Sequence, residues 1–386
     1  MSKPRVLVNY VEAGMGHITS AMSVADSLRE HYGDELEIID AHMFRDTENK
    51  HLAEFGRYLS EGTKSFSKSK YLSDFNFAMR DMLGPQKLLK VTHELFPKAK
   101  KAAIKFFRSI EPDVIATTHF SDAYFAKSYQ KRKKSKPCKV VTYNPDFDMF
   151  GMWNNKTDLF IVNNPIAYGQ ALAQKFKKKN LRQVPFLIRK DIANFGLTKE
   201  QCREKHGLPQ DKFTVVLTDS IYGAARLRPF TDELLKTKSD MTIIPAVGKN
   251  QELMSLYSGL SQNQPGNITL NPVGLRLDLF EFYKAADVAV VKAGPNTLLD
   301  CGFMGTPVIT NFFATPTEEF SKNLFIQEYG MGEEITDAEE CRKRLEAFAS
   351  DPALLEGYRE NAERHFNINE TGGKAIADII YESSIS

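Results

Sequence analysis

The stretch Asp287–Thr310, DVAVVKAGPNTLLDCGFMGTPVIT, decides the fold. Apolar residues from Val288 to Val291 lead into Lys292 and a Gly294-Pro295 turn. A helical pattern from Asn296 to Met304 follows, then Gly305, then a second apolar run. The order is strand, turn, helix, strand, with Pro opening the helix and Gly closing it. A helix that starts at a Gly-Pro turn points free backbone N–H groups and a positive dipole end past the strand tips, where an anion can sit. Any parallel βαβ crossover would share this pattern.

Outward from this unit the alternation continues. Downstream of Leu187–Phe213, a charged segment with Gly207 and Pro209 that reads as a linker, the strands are Thr214–Thr218, Thr242–Pro245 and Ile268–Leu270. Helices are expected over Arg226–Leu235, Asn250–Tyr257 and Leu277–Ala285, then in two pieces over Asp337–Arg364, and over Thr371–Tyr381. Upstream, Arg5–Tyr10 runs into Gly14, Met15, Gly16 and His17, and a helical period follows at Ile18, Ala21, Met22, Ala25 and Leu28. Strand, Gly-loop, helix is the layout of a phosphate-cradling turn. Further strands are expected at Leu36–Asp40, Val114–Thr118, Lys139–Thr142, Leu159–Val162 and Arg182–Phe186, with a helix over Asn163–Lys179. Between the second and third strands lies an aromatic, basic insertion with Phe55, Tyr58, Phe66, Tyr71, Phe75 and Phe77, ending in one expected helix over Lys87–Phe107. Its apolar stripes suit packing on a sheet, its lysines a solvated face. A membrane-surface patch would need the same residue types.

Composition narrows the function. A chain of 386 residues suggests two domains, and a net charge of +2 gives nucleic-acid binding no support. Cys138, Cys202, Cys301 and Cys341 lie far apart, so zinc-finger spacing is absent and free thiols in a reducing compartment are expected. The sequence enters a strand pattern at once, without the apolar core of a signal peptide, and no run approaches a membrane span. A cytoplasmic protein able to touch a membrane surface is the expectation. The triplet Asp146-Phe147-Asp148 invites a metal, but two carboxylates are an incomplete site, so no metal is expected there.

The segment Lys292, Gly294, Thr297, Asp300, Gly305, Pro307, Val308 and Ile309 resembles the donor-sugar motif of GT-B glycosyltransferases, K-x-G-G-x-T followed by an acid and G-x-P-V-I. It is most similar to the group holding the monogalactosyl- and processive diacylglycerol glycosyltransferases, with the lipid II-forming enzyme of peptidoglycan synthesis as a cousin. Gly14, Gly16 and His17 match that family's first Gly-rich loop, and PDVIATTH up to His119 resembles its P-D-x-I-x-x-x-H segment. Thr142 and Trp153 fit its T-D-rich loop, although Tyr143 replaces the usual Asp. Pro295 and Asn296 depart from the usual turn, and Asp300 stands where Glu is usual. Asp219 replaces a Gly in the loop holding Ser220 and Gly223, where Arg226 or Arg228 would offset its charge. In Phe312–Asn323, counting back from Asn323 puts Glu319 where the family has a sugar-binding Gln. A simple capped helix start at Thr317 would fit the same residues.

The resemblance implies an α/β, GT-B fold: two Rossmann-like parallel-sheet domains facing across a cleft. Residues 1–187 would bind acceptor and carry the insertion 43–110, residues 188–370 would bind the nucleotide-sugar, and residues 371–386 would return as a C-terminal helix to the first domain. It implies an inverting, metal-independent hexosyltransferase with no cofactor, moving a sugar from a nucleotide donor, UDP-linked, to an acceptor hydroxyl on a lipid or another compound. His17 would act as base or orient the acceptor, assisted by His119 and Asp146. Gly16, Ser220, Gly223, Val273, Lys292, Gly294, Pro295, Asn296, Thr297, Asp300, Glu319 and Asn323 would bind donor. Membrane contact would run through 43–110. Two alternatives stay open: an epimerase or hydrolase acting on a nucleotide-sugar, and a non-catalytic relative that only binds one.

Overall fold

The computed structural model describes residues 3–11, 15–66, 85–132, 136–149, 151–219, 226–313, 315–367 and 371–386. Gly14, Ser220 and Gly223 therefore lie outside the described residues, as do Tyr71, Phe75 and Phe77 of the insertion. The chain divides into two compact units, Met1–Ala193 with Asn369–Ser386, and Asn194–Ile368.

In the first unit the described strands are β1 (Arg5–Asn9), β2 (Glu37–Ala41), β3 (Val114–Thr117), β4 (Lys139–Tyr143), β5 (Leu159–Val162) and β6 (Leu181–Gln183). They form one parallel sheet in the order β2-β1-β3-β4-β5-β6. Both faces are covered, which is why strands such as Val114–Thr117 are buried at every position. One face packs on the first helix, Met15–Tyr32, through Ala21, Val24, Ala25 and Leu28, and on the C-terminal helix, Gly373–Ile385, through Ile376, Ala377 and Ile380. Tyr32 stacks on Tyr381 with ring centroids 4.1 Å apart, and its hydroxyl donates to Asp378 at 2.7 Å. The chain's end is thereby part of the first unit's core.

The insertion covers the other face. Phe55 is fully buried against Phe44, Phe96, Phe125 and His93. Such burial contributes about 2–3 kcal/mol, so this aromatic belongs to the core and not to a surface patch. The expected single helix Lys87–Phe107 is two, Pro85–Glu94 and Pro97–Ile110. Pro97 is the cause: it lacks an N–H, and it pushes Phe96 out of the helical region to φ −114°, ψ 60°.

In the second unit the strands are β7 (Phe213–Thr218), β8 (Met241–Gly248), β9 (Ile268–Leu270), β10 (Val273–Gly274), β11 (Val288–Lys292), β12 (Val308–Phe312) and β13 (Gly332–Glu334). All described pairings are parallel, in the order β10-β8-β7-β11-β12-β13, with β9 on β8. The helix after β11 runs Pro295–Met304 and ends at Gly305 with φ 70°, the left-handed cap that glycine adopts without strain. The expected linker is not a linker throughout. Lys199–Lys205 is a helix with a Thr198–Gln201 capping box, and it is bound into this unit. Its Arg203 meets Asp287 at 2.8 Å, Lys199 pairs with the same carboxylate, and Asp287 also accepts from the Thr214 N–H at 2.8 Å. The opening residue of the decisive stretch thus ties β7, β11 and this helix together.

Candidate active site

In the first unit the site residues follow the carboxyl ends of three adjacent strands, where open α/β sheets place their ligands. His17 sits in the first turn of Met15–Tyr32, beyond β1. Its Nδ1 lies 2.8 Å from the Thr118 carbonyl, which can only accept, so Nδ1 carries the proton and Nε2 is left as a base. Thr118 Oγ1 returns a hydrogen bond to the His17 carbonyl at 3.0 Å. Burial lowers the His17 pKa from its ordinary value, opposed by the bond to Thr118, and so favours the neutral ring.

His119, beyond β3, caps the helix Phe120–Gln130. Its Nδ1 accepts from the Ser121 N–H at 3.2 Å, so the neutral ring carries its proton on Nε2. The rings of His17 and His119 meet edge to face with centroids 4.7 Å apart. Burial first, and the neighbouring His17 second, push the His119 pKa well below its usual range. The pair therefore holds one histidine as an acceptor and one as a donor, both neutral. Gly16 precedes His17 in the same helical turn.

Asp146 follows β4. Its backbone is fixed by asparagines: its N–H donates to Asn144 Oδ1 at 3.2 Å, and its carbonyl accepts from Asn163 Nδ2 at 3.1 Å. Burial pushes its carboxyl up to about 7. The asparagine loop aims Asp146 from the third strand tip, but no described bond joins it to either histidine. Trp153 is buried against Phe120 and Phe160, a packing residue. Sequence reading passed over Asn9 and Asp122. Both are fully buried, Asp122 in the first turn after His119, with its carboxyl pushed well up by burial and the Asn9 amide opposing. The short polar side chains at a strand end and a helix start are the only signal they give.

In the second unit the described donor candidates from Lys292 to Asp300 lie at the tip of β11 and on the helix after it, and Glu319 and Asn323 lie on the helix after β12. Gly294 is the N-cap of Pro295–Met304, and no side chain caps it among the described residues, which leaves first-turn N–H groups open to a ligand. Asn296, Thr297 and Asp300 lie on that helix, partly exposed. Val273 is buried in β10 and offers only backbone. Lys292, buried, is paired with Glu318 at 2.6 Å. Asp219, at the tip of β7, is also buried; its Oδ2 accepts from the Arg226 N–H at 3.0 Å. Burial pushes the Asp219 carboxyl up to about 6, with Lys292 pulling it down and Glu318 pushing it up. Lys292 thus pairs with Glu318 and acts on Asp219 through its charge.

Two expectations need correction. The helix after β12 runs Pro316–Asn323, capped by Thr315 and not Thr317, with Glu318 closing the capping box. That start sets the register: the acid facing Lys292 is Glu318, and Glu319 follows it in the first turn, with Asn323 at the far end. Arg228 is spent on Asp232 at 3.3 Å, so it does not offset Asp219; Arg226 does so through its backbone N–H, while its guanidinium lies over Phe312. Among the described residues no group of three or more His, Cys, Asp or Glu is arranged to hold a metal.

No protein-family model matches the chain. It is similar to a processive diacylglycerol beta-glucosyltransferase of Bacillus licheniformis, 22% identical over 75% of this chain and 74% of that protein. A protein of the same description from Bacillus pumilus is 21% identical over 99% of this chain and 96% of its own length. Among solved structures, Medicago truncatula UGT71G1 complexed with UDP-glucose superimposes with a TM-score of 0.61 at 12% identity, covering 100% of this chain and 99% of that one. The two parallel sheets with their helices are the GT-B fold.

Proposed function

We propose that this chain transfers a sugar from a UDP-linked donor to an acceptor hydroxyl, with a lipid as the acceptor's carrier, inverting the anomeric carbon and using no resident metal. The relatives are named as diacylglycerol glucosyltransferases, and a structural neighbour holds UDP-glucose, which supports donor and acceptor class alike.

One observation carries the proposal: His17 is fixed as the Nδ1–H tautomer by Thr118, with its basic Nε2 left over. That nitrogen takes the acceptor O–H proton as the oxygen forms its bond to the anomeric carbon. The bond from that carbon to the diphosphate oxygen breaks on the opposite face, and UDP leaves with the electron pair. His119, bearing its proton on Nε2, donates a steadying hydrogen bond, and Asp146 binds an acceptor hydroxyl. The leaving charge is met by the backbone N–H groups at the start of Pro295–Met304, dipoles that are most effective away from water. Asp300, Glu318 and Glu319 accept from ribose or sugar hydroxyls.

His17→Ala should lower turnover by about 100- to 10,000-fold, the usual worth of a positioned base. Calorimetric UDP binding should stay near the wild-type value. Full turnover in this variant sinks the assignment. A non-catalytic nucleotide-binding role draws support from the Lys292–Glu318 pair, in which a carboxylate already neutralises the lysine. Sugar release or transfer by the wild type distinguishes the two.

A further inference from the structure

A second concavity lies wholly in the first unit, with a volume of about 480 Å³. That is within the range of roughly 300–1,000 Å³ typical of small-molecule sites. Six cations line it: Lys90, Lys100, Lys127, Lys131, Arg132 and Lys156. Among the described lining residues Glu94 is the one carboxylate, and it is already committed to Lys100 at 2.6 Å and to the Tyr124 hydroxyl at 2.8 Å. Lys90, Lys131, Arg132 and Lys156 form no ion pair among the described residues. Like charges converging in a cleft raise the local potential and draw in an anion.

Lys127 is the cation set deepest in the basin. Its side chain is buried, yet its nearest carboxylate, Asp158, stands 3.4 Å away. That carboxylate is held more closely by Gln130 Nε2 at 2.7 Å and by the Val140 N–H at 2.8 Å. The ammonium also donates to Gln130 Oε1, so it is held in place and adds its charge to the field of the basin. Lysines at a helix C-terminus also complement the helix dipole. That accounts for Lys127 and Lys131, which end the Phe120–Gln130 helix, but not for Lys90, Lys100 or Lys156, which come from other segments.

The floor is apolar: Leu89 and Met152 are buried beneath the cations. On the helix that carries Lys90, Val91 is 55% exposed, and Leu95, just past its end, is 72% exposed. A bare inorganic ion would use the charges and leave this apolar surface wet. An ester of phosphate uses both, and the planar guanidinium of Arg132 suits phosphate oxygens. We propose that this basin binds an organic phosphate, with its phosphate among Lys127, Lys131, Arg132 and Lys156 and its apolar part on Leu89 and Met152. The site is distinct from the histidine pair: Ser128, which lines it, lies nine residues along the helix from His119, about 13 Å at 1.5 Å per residue. A soluble phosphate ester and the headgroup of an anionic lipid share this chemistry.

The test uses the full chain and the double variant Lys131→Ala/Arg132→Ala, at two exposed positions, its fold checked by thermal melting. One arm titrates sn-glycerol 3-phosphate calorimetrically. The other measures sedimentation with phosphatidylcholine vesicles, with and without phosphatidylglycerol. Removing two exposed cations should weaken binding about tenfold. Variant-sensitive binding of glycerol phosphate alone assigns a soluble ester, and variant-sensitive binding of the anionic vesicles alone assigns a headgroup. No binding in either arm, or binding indifferent to the substitutions, overturns the site. UDP affinity should be the same in both proteins; an equal loss for UDP also overturns it, and leaves the donor proposal standing.

Discussion

Substitutions at Lys292 and Glu318 test whether the strand-tip cluster is held by charge. The two atoms are 2.6 Å apart, and the side chains are 9% and 13% exposed. With an effective dielectric of about 20, Coulomb's law gives an attraction of roughly 6 kcal/mol, before desolvation is subtracted. Removing one partner of such a pair costs about 3–5 kcal/mol, since a buried charge is left behind. The third member makes the two substitutions unequal. In Glu318→Gln, Lys292 still has Asp219 nearby, whose carboxyl is pulled down by it. In Lys292→Met, Glu318 loses this ion pair and Asp219 loses the charge that pulls its carboxyl down, so Asp219 must rise above its present value of about 6. Lys292→Met should therefore be the more destabilising by about 1–2 kcal/mol, with the double variant recovering at least about 2 kcal/mol of the summed loss. Urea unfolding of the four proteins measures both quantities. Equal single losses, or a coupling under about 0.5 kcal/mol, would refute the three-charge account.

Asp219→Asn should raise stability at neutral pH. Its folded carboxyl is raised to about 6, so between about pH 4 and 6 the folded state keeps a proton the unfolded state has lost. Stability then falls as pH rises through that window, and an uncharged Asn avoids a loss on the order of 2–3 kcal/mol, read by urea unfolding at pH 7. Asp287→Ala removes the acceptor shared by Arg203, Lys199 and the Thr214 N–H, and should cost about 3–5 kcal/mol by the same assay; a loss under about 1 kcal/mol would mean that the helix Lys199–Lys205 docks by apolar contact alone. His119→Asn keeps a helix cap, because an Asn side chain accepts from the Ser121 N–H as well as the imidazole does. The wild-type imidazole has a depressed folded pKa, so as pH falls below about 6.5 the unfolded chain takes a proton the folded one refuses, and stability drops. The variant should lose less stability between pH 7 and about pH 5, and an unchanged gap would place that titration elsewhere.

The longer strands and the parallel character of the sheets were legible from apolar runs and glycine turns, whereas the short strands Val273–Gly274 and Gly332–Glu334 were not read, having too few residues to show a pattern. The helix Pro295–Met304 was legible too, where proline and glycine marked both ends. Features that depend on tertiary burial were not legible. Leu187–Phe213 looked like a linker from its charges, yet Arg203 is buried on Asp287. Lys87–Phe107 looked like one helix, because its apolar stripe continues across Pro97, whose effect is on the backbone. At Phe312–Asn323, counting back from Asn323 gave Glu319 as a sugar-binding position, and the ion pair that its neighbour Glu318 makes with Lys292 has no signal in the sequence, because it depends on how two strand tips are brought together. Asn9 and Asp122 carry no motif, and only the structure shows them buried beside the histidines' strand tips.

The cluster of Asp219, Lys292 and Glu318 carries one negative charge when Asp219 is ionised and none when it is protonated. A diphosphate bound at the Pro295 helix start, as proposed, would feel the amide dipoles there and the charge of this cluster. Its affinity should weaken as Asp219 loses its proton. The nucleotide's own phosphate titrates in the same range, so wild-type affinity alone is ambiguous. The ratio of affinities between Asp219→Asn and wild type removes that contribution, because the nucleotide is common to both. Below about pH 5 the ratio should be near one, and above pH 6 it should rise by about five- to tenfold, the worth of roughly 1 kcal/mol of partly screened repulsion. A ratio that stays flat across the range would show that the diphosphate does not sit beside Asp219, and the donor would have to be placed away from the tips of β7 and β11.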